Sequence, residues 1–328
     1  MSWNLIGHDW AEQLLAQNIR HGDLRHAYLI TGAPGTGRRS LALELAKAAN
    51  CLNPPAPGDF CDECRICRQL SNLQQPDLSI IESETEGAMI KVDQVRQLQH
   101  SLSLAPYEAK FRVALLRNFQ LANANAQNAL LKTLEEAPRQ VILILTADSA
   151  ENLLPTISSR CEILRLRPLA IDALETALVK RWKLDPDEAH LFAHLSGGRP
   201  GIALQLNTDR PALEKRSGWL DDFARLFGLN LRERFAYSET INRTRDPLRS
   251  ELQIWMTYAR DLYMVRSGSN APLTNIDRST ELGKLGTSFT QTQLLAIIEA
   301  LQNSLEALEL NANLRLLTDT LMLDLPTL

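Results

Sequence analysis

The fold of this chain is decided by residues 32–40, which read Gly-Ala-Pro-Gly-Thr-Gly-Arg-Arg-Ser. They are similar to the phosphate-binding pattern Gly-x-x-x-x-Gly-Lys-Ser/Thr. In that pattern glycines let backbone N–H groups approach phosphates, the lysine reaches the terminal phosphates, and the hydroxyl holds Mg²⁺. Gly32 and Gly37 keep the spacing, but Arg38 replaces the lysine and Arg39 replaces the hydroxyl residue. The stretch therefore predicts a nucleotide-site fold whose chemistry has been altered.

The residues that would contact a nucleotide are Gly32, Gly35, Gly37 and Arg38. Ser40 supplies a hydroxyl one position late, on a helix face rotated by about 100° from the expected one. We expect impaired nucleotide chemistry at this loop, and the sequence allows either loss of binding or binding without hydrolysis.

A loop that hydrolyses nucleotides also needs acidic residues at the end of a neighbouring strand. One of them helps to hold Mg²⁺, and another polarises the attacking water. The matching strand is Val113–Leu116, which is followed by Arg117 and Asn118. Neither side chain can act as a carboxylate base, and an arginine adds positive charge where Mg²⁺ would lie. Unless another strand takes this place, both halves of the catalytic site are altered together.

The composition is that of an ordinary globular protein with room for two or three domains: 328 residues, 45% hydrophobic and 23% charged. The longest apolar stretch, around Val141–Leu145, is far too short to span a bilayer, and residues 1–8 do not resemble a signal peptide. We therefore expect a cytoplasmic protein with no membrane partner. The formal net charge of -4 does not favour strong autonomous DNA binding, which usually needs a basic surface.

Strand and helix patterns alternate over the first half of the chain, which predicts a mostly parallel sheet with helices on both faces. The expected strands are His26–Thr31, Asp77–Glu82, Val113–Leu116, Val141–Thr146 and Ile163–Leu166. Strand patterns stop after Pro168, and the remainder reads as helical, with a Ser-Gly-Gly-Arg-Pro-Gly breaker. We expect an α/β module at 1–168, a small helical subdomain at 169–206 and an all-α domain at 207–328.

Four of the five cysteines form the pattern Cys51-x9-Cys61-x2-Cys64-x2-Cys67. Zinc prefers four soft ligands in a tetrahedron, and Cys-x2-Cys turns place two sulfurs on one ion. An iron–sulfur cluster and four unliganded thiols are the alternatives, whereas disulfides suit a reducing cytoplasm poorly. Because four cysteines leave no open coordination position, we expect a structural zinc ion in an insertion at residues 51–67.

Several motifs together resemble the AAA+ subunits of the bacterial DNA polymerase III clamp loader. They are residues 128–138 (Asn-Ala-Leu-Leu-Lys-Thr-Leu-Glu-Glu-Ala-Pro), 153–161 (Leu-Leu-Pro-Thr-Ile-Ser-Ser-Arg-Cys), 5–8 (Leu-Ile-Gly-His) and 26–29 (His-Ala-Tyr-Leu). The four-cysteine insertion after the loop helix is similar to one in this family, and the specific motifs cover about residues 1–206. The resemblance implies an α/β AAA+ P-loop module, a helical lid and an all-α C-terminal collar that joins subunits into a ring.

Within this family, the ATP-driven gamma/tau motor should keep the loop lysine and the acidic pair, which this chain lacks. The lid arginine that senses nucleotide is also missing, because Gly201 aligns with its position and Arg199 lies two positions away. Asp148 takes the place of a polar sensor residue in the sheet. The resemblance therefore implies a subunit that does not hydrolyse ATP.

The same resemblance makes Arg160, in the Ser-Arg-Cys segment, an arginine finger that reaches into the ATP site of an adjacent gamma/tau subunit. The plain alternative is a surface arginine in a salt bridge. The implied partners are the gamma/tau and delta subunits and, through the complex, the sliding clamp and primed DNA. The collar would use helices such as the one predicted by the apolar stripe of Leu294, Ile297, Ile298, Leu301 and Leu305, for which packing within the chain is the simpler role.

Two other functions compete with this interpretation. One is an active ATPase motor of the gamma/tau type, in which Arg38 and Ser40 perform the missing tasks from displaced positions. The other is a stand-alone zinc-containing DNA-binding protein, which a pI of about 5.9 fits poorly. ATP turnover by the isolated chain tests the first, and salt-dependent DNA affinity tests the second.

Overall fold

The computed structural model describes residues 3–83, 88–136, 138–241 and 244–327. The chain divides into two compact units. The N-terminal unit runs to Ala177 and includes Arg199–Ile202, and the C-terminal unit comprises Leu178–Gly198 and continues from Ala203. The finer division at residues 168 and 206 stays a prediction.

The sheet of the N-terminal unit is parallel, as predicted. Its strands, within the described residues, are β1 (Ala27–Thr31), β2 (Leu78–Ile81), β3 (Arg112–Leu116), β4 (Val141–Ala147) and β5 (Glu162–Arg165). They lie in the order β2-β3-β4-β1-β5, and all neighbouring pairs are parallel. Leu29 of β1 is in register with Leu145 on one side and Ile163 on the other. Each strand begins and ends within one residue of its predicted bounds.

Helices cover both faces of this sheet, which confirms the α/β prediction. They are α1 (Asp9–His21), α2 (Arg38–Asn50), α3 (Arg65–Ser71), α4 (Val92–Leu102), α5 (Ala124–Glu135) and α6 (Pro155–Ser158), with a 3₁₀ turn at Phe119–Leu121. Successive strand residues point to opposite faces. Tyr28 and Ile30 therefore enter a core with α1 to α3, whereas Ala27 and Leu29 enter a second core with α4 to α6. Burial of both faces explains why the central strands are apolar along most of their length.

The carboxyl ends of the parallel strands bring distant parts of the sequence to one edge of the sheet. Residues 32–37 follow β1 and lead into α2, Asn118 follows β3, and Asp148 follows β4 directly. In open parallel sheets, ligands bind at this edge. The fold therefore places the altered loop, the altered acidic position and the sheet sensor position together.

The C-terminal unit is helical in its described residues, as predicted. The remaining helices of the chain are α7 (Ile171–Trp182), α8 (Pro186–Leu195), α9 (Pro200–Thr208), α10 (Arg210–Leu226), α11 (Leu231–Ile241), α12 (Arg245–Ser267), α13 (Ser279–Ser288), α14 (Gln291–Glu309) and α15 (Leu314–Asp324), with a 3₁₀ turn at Ile276–Arg278. Leu294, Ile297 and Leu301 of the predicted stripe are fully buried in this unit's own core. Packing within the chain therefore accounts for most of the stripe. Among the described helices of either unit, none is long and apolar enough to cross a membrane.

A buried arginine joins two helix ends in the C-terminal unit. Arg234 on α11 is 1% exposed, and its guanidinium donates hydrogen bonds to the carbonyl oxygens of Leu226 (2.9 Å), Met322 (3.2 Å), Leu325 (2.5 Å) and Pro326 (2.7 Å). Leu226 is the last residue of α10, and the other three acceptors lie at the end of α15 and just beyond it. Because helix ends leave carbonyl groups without helical partners, this one side chain satisfies both ends.

Candidate functional site

The loop between β1 and α2 needs glycine at two positions of its backbone. Gly32 has a φ of 149°, and a Cβ atom there would lie 2.3 Å from the carbonyl oxygen of Leu166. Gly37 has a φ of 102° and directly precedes α2. Glycine meets both requirements without steric strain. These glycines therefore serve the shape of the loop whether or not a nucleotide binds there.

Arg38, at the position of the usual lysine, is bound within its own chain. Its Nη1 lies 2.7 Å from Asp148 Oδ1, and its Nη2 donates to Asn118 Oδ1 at 3.2 Å. The Arg38 side chain is only 10% exposed, compared with 43% for Asp148. Asn118 is fixed in turn, because its backbone N–H donates to Thr146 Oγ1 at 2.9 Å. We call Arg38, Asn118 and Asp148 the Arg38 cluster.

The Arg38 cluster differs from the arrangement of groups that a hydrolytic site uses. A hydrolytic site keeps a cation available for the terminal phosphates, and carboxylates for Mg²⁺ and the attacking water. Here the cation is paired with Asp148, and Asn118 supplies an amide in place of a carboxylate. Arg39 and Ser40 are exposed on α2 and do not belong to the cluster. The cluster can hold the sheet edge together, but it contains no free general base.

The tip of the loop lies against the start of α9, in the part of that helix that belongs to the N-terminal unit. The N–H of Gly201 donates to the carbonyl oxygen of Gly35 at 2.8 Å, and a Cβ on Gly201 would lie 3.1 Å from the Gly35 Cα. A Cβ on Gly35 would lie 2.6 Å from the Ile202 side chain. Arg199 precedes α9 and is half-buried, and burial lowers the pKa of its guanidinium. The position aligned with the lid arginine is therefore a backbone contact with the loop.

Sequence reasoning missed an N-terminal strap, residues 3–8, that also contacts the loop. The His8 Nε2 lies 3.1 Å from the carbonyl oxygen of Thr36, and burial lowers the pKa of this imidazole. The indole N–H of Trp3 donates to the carbonyl oxygen of Gly58 in the cysteine-rich insertion at 3.0 Å. The strap therefore joins the insertion to the phosphate-binding loop. Six residues are too few to show a periodic pattern. Trp3, an aromatic residue outside any predicted helix or strand, is the only signal in the sequence that could have indicated the strap.

Arg160 lies outside the Arg38 cluster, just after α6. Its Nη2 lies 2.7 Å from Glu135 Oε1, and its Nη1 donates to the carbonyl oxygen of Thr156 at 3.0 Å. The side chains of Arg160 and Glu135 are 36% and 52% exposed. Burial raises the pKa of the neighbouring Cys161 thiol to about 12, which makes it a poor nucleophile. In the single chain, Arg160 is thus a partly exposed cation in a salt bridge, the plain alternative that the sequence left open.

The four cysteines of the insertion lie close together. Cys51, Cys61, Cys64 and Cys67 have all their Sγ atoms within 4.8 Å of one another. The Sγ atoms of Cys51 and Cys61 are 3.5 Å apart. That separation is close to the ~3.8 Å edge of a tetrahedron with Zn–S bonds of about 2.3 Å, and far above a disulfide length of about 2.05 Å. The four residues therefore fit a metal ion such as zinc.

Backbone N–H groups surround these sulfur atoms in the way that thiolate ligands need. The N–H groups of Cys61, Cys64 and Cys67 each point to the sulfur of the preceding cysteine in the pattern, at 3.4, 3.2 and 3.5 Å. Hydrogen bonds from the backbone of Cys64 and Glu63 lower the pKa of Cys61 to about 7, whereas burial raises the pKa of Cys51 and Cys67. A bound cation would stabilise the remaining thiolates, because metal ligands must be deprotonated.

A known protein family matches the chain within this N-terminal unit. Residues 7–170 match the family described as DNA polymerase III, delta subunit. The DNA polymerase III subunit delta' of Bacillus subtilis is 33% identical over 205 residues, which are 62% of this chain and 60% of the relative. The delta' subunit of Pseudomonas aeruginosa is 38% identical over 202 residues, which are 60% of each chain.

The subunit named tau of Bacillus subtilis is 30% identical over 202 residues, which are 61% of this chain and 35% of the relative. The match thus spans about three fifths of the delta' relatives and about a third of the tau relative. Among solved structures, a gamma subunit-related protein of Thermotoga maritima aligns with 96% of this chain and 97% of its own length, at a TM-score of 0.45 and 17% identity.

Proposed function

The chain belongs to the DNA polymerase III delta subunit family, and we propose that it is a clamp-loader subunit that does not hydrolyse ATP. The observation that carries this proposal is the Arg38 cluster. Arg38 is paired with Asp148 and Asn118, at the place where a working site would hold the loop lysine, Mg²⁺ and the sensor. In this proposal the P-loop module keeps its shape so that the subunit fits a ring, and ATP turnover belongs to its neighbours.

The proposed lack of ATP hydrolysis follows from the pairing of Arg38 with Asp148 and from the absence of a carboxylate at position 118. A phosphate that entered the loop would have to compete with Asp148 for Arg38, and no carboxylate at position 118 would then orient water or Mg²⁺. The contact between Gly35 and Gly201 further occupies the tip of the loop. We therefore propose that ATP binds this chain weakly, if its phosphates enter the loop, and is not hydrolysed there.

The second part of the proposal assigns Arg160 to the ATP site of a neighbouring subunit. Phosphoryl transfer develops charge on oxygens that an arginine supplied in trans can stabilise, with effects of about 10³–10⁵ in rate. Arg160 is partly exposed, and an ion pair at that exposure is weak enough to be exchanged. Its planar fork matches phosphate oxygens in a way that lysine does not.

The partners in this proposal are gamma/tau and delta subunits, with the sliding clamp and primed DNA reached through the complex. Support comes from the relatives, which are named as DNA polymerase III subunits of the delta', gamma and tau types. The C-terminal unit would supply the collar contacts of a hetero-oligomer. The four-cysteine site would hold a structural zinc ion, since all four positions are thiols and no ligand position is left for substrate.

The deciding experiment reconstitutes the chain with a gamma/tau motor subunit and measures DNA-stimulated ATP turnover. Arg160→Ala should leave assembly intact and lower turnover by at least tenfold, whereas Arg165→Ala, a nearby arginine that is 64% exposed, should not. Turnover that is unchanged by Arg160→Ala refutes the trans role. Size-exclusion chromatography shows whether the complex assembles. If it does not, the experiment is repeated with Arg160→Lys, which keeps the charge.

An active motor of the gamma/tau type remains the second candidate, because relatives named gamma and tau match at 28–31% identity. Robust Mg²⁺-dependent hydrolysis by the isolated chain would favour that candidate over the proposal. A stand-alone DNA-binding role predicts tight, strongly salt-dependent DNA affinity for the isolated chain. The formal net charge of -4 argues against it.

A further inference from the structure

We propose that Glu135 is an exchangeable counter-ion, which holds Arg160 within the chain and gives it up to a nucleotide phosphate of the neighbouring subunit. This inference rests on the proposed trans role of Arg160. The observation behind it is that Nη2 of Arg160 is used by Glu135 at 2.7 Å while Nη1 is used by the Thr156 carbonyl at 3.0 Å. A phosphate that approaches this guanidinium therefore meets the Glu135 carboxylate, which already holds one N–H of Nη2 and repels a second anion.

The position of Glu135 is fixed by its surroundings. It is the last residue of α5, and the carbonyl oxygen of the preceding Leu134 lies 3.0 Å from His26 Nε2. At its other end, α5 is tied to the start of α6, because the Leu154 N–H donates to Gln127 Oε1 at 2.9 Å. The salt bridge therefore spans two helices that are held together independently of it. Loss of the Glu135 charge should leave this frame intact.

Helix electrostatics argue against a purely structural purpose for this carboxylate. The carboxyl end of a helix carries partial negative charge, so a glutamate there is mildly destabilising. Arg160 compensates for that charge as long as the salt bridge persists. When Arg160 turns to a phosphate, Glu135 is left as an unpaired negative charge beside an anion, which opposes the exchange. Glu135 thus adds a free-energy cost to the contact between Arg160 and a phosphate of the neighbouring subunit.

Neutralising Glu135 should lower this free-energy cost. Glu135→Gln keeps an oxygen that can accept from Arg160 but removes the charge that competes with phosphate and repels it. Exposed ion pairs are weak, so we expect a twofold to fivefold fall in the KM for ATP of the reconstituted complex. We expect kcat to change little, because the contact is gained in the bound ground state as well as in the transition state.

The matched control is Glu136→Gln, which makes the same charge change one residue further on at an exposed position. A direct readout in the isolated chain is the ¹⁵N NMR signal of the Arg160 guanidinium. Glu135→Gln should shift that signal and Glu136→Gln should not. In the complex, the effect of Glu135→Gln must disappear in an Arg160→Ala background, as expected for two residues that act through one contact.

The outcomes separate the two proposals. If Arg160→Ala lowers turnover but Glu135→Gln raises KM or behaves like Glu136→Gln, the counter-ion role is overturned and the trans arginine stands. If Arg160→Ala leaves turnover unchanged, the proposed function fails and the exchange falls with it. An effect of Glu135→Gln that persists without Arg160 also overturns the inference. Equal melting temperatures of the variants exclude an indirect effect through folding.

Discussion

Arg38 and Asp148, which are 110 residues apart in the sequence, form an ion pair with 2.7 Å between Nη1 and Oδ1. The pair crosses from the start of α2 to the end of β4, so it closes the edge of the sheet where a nucleotide would bind. Asn118 adds a third contact from the end of β3. An altered motif has thus become an internal contact between three elements.

Removing the counter-ion of Arg38 should restore some anion binding without restoring hydrolysis. In Asp148→Asn the Arg38 guanidinium loses its carboxylate, so the affinity of the isolated chain for ATP should rise about fivefold, in line with about 1 kcal/mol for a partly exposed ion pair. Isothermal titration calorimetry measures the affinity, and phosphate release measures hydrolysis. Glu151→Gln, an exposed carboxylate nearby in the sequence, serves as the control. An unchanged affinity, or turnover in the variant, contradicts this account of the cluster.

The cysteine site should hold one zinc ion per chain. Cys64→Ser removes one ligand and should lower the zinc content and the thermal stability, because metal binding and folding of the insertion are coupled. Cys161→Ala changes the cysteine outside the group and should keep the zinc. Elemental analysis of the purified protein decides the matter. The absence of zinc, or iron together with sulfide, would sink the assignment.

Glu44, a buried glutamate of α2, should make the free energy of unfolding depend on pH. Burial raises the pKa of Glu44 to about 7, and the nearby Glu12 adds to the rise, against a hydrogen bond from the Asn4 N–H and the charge of Lys47. Below pH ~4.5 Glu44 is protonated in both the folded and the unfolded state, so its burial does not lower the stability. As the pH rises from ~4.5 to about 7, the unfolded state loses this proton first, and the free energy of unfolding falls. The change is about 3 kcal/mol in the free energy of unfolding.

Glu44→Gln should therefore be more stable than the wild type at pH 8 and similar to it at pH 4. Urea unfolding at the two pH values measures the difference. Glu251, whose pKa burial likewise raises to about 7, contributes a second loss in the same pH window, so the variant should flatten the profile only in part. The exposed Glu136→Gln should leave the profile as it is. A wild-type-like profile in Glu44→Gln counts against the buried position of this carboxylate.

Arg234 should be worth more to stability than any exposed arginine of α11. Its truncation to alanine leaves four carbonyl oxygens without their donor and opens a cavity, which should cost at least about 3 kcal/mol. Arg232→Ala, on the exposed face of the same helix, should cost less than about 0.5 kcal/mol. Urea unfolding followed by the signal of the C-terminal unit provides the comparison. Similar losses for the two variants would disprove the anchoring role.

Much of the fold could be predicted because it depends on local patterns. The strands are runs of apolar residues that end at turn residues, and the predicted bounds of each strand agree with the structure to within one residue. The glycines of residues 32–37 follow from steric limits on the backbone, which a sequence expresses directly. The grouping of the four cysteines could be predicted for a similar reason, because their spacing fixes which sulfur atoms can meet.

The partners of the functional side chains could not be predicted in this way. Nothing in the local sequence indicates that Arg38 meets Asp148 or that Arg160 meets Glu135. The strap at residues 3–8 is equally invisible, because its contacts with Thr36 and Gly58 depend on the loops that surround it. These contacts join segments that only the packed sheet and helices bring together.

By itself, the sequence determined that the phosphate-binding loop keeps its shape and lacks its lysine, its hydroxyl and its neighbouring acidic pair. The tertiary structure decided what the replacements do. In it Arg38 is a partly buried, paired cation, while Arg160 keeps a partly exposed salt bridge at the end of α5. The physical reason is that residue type sets which charges a chain has, whereas their energies depend on burial and on partners that only the fold supplies.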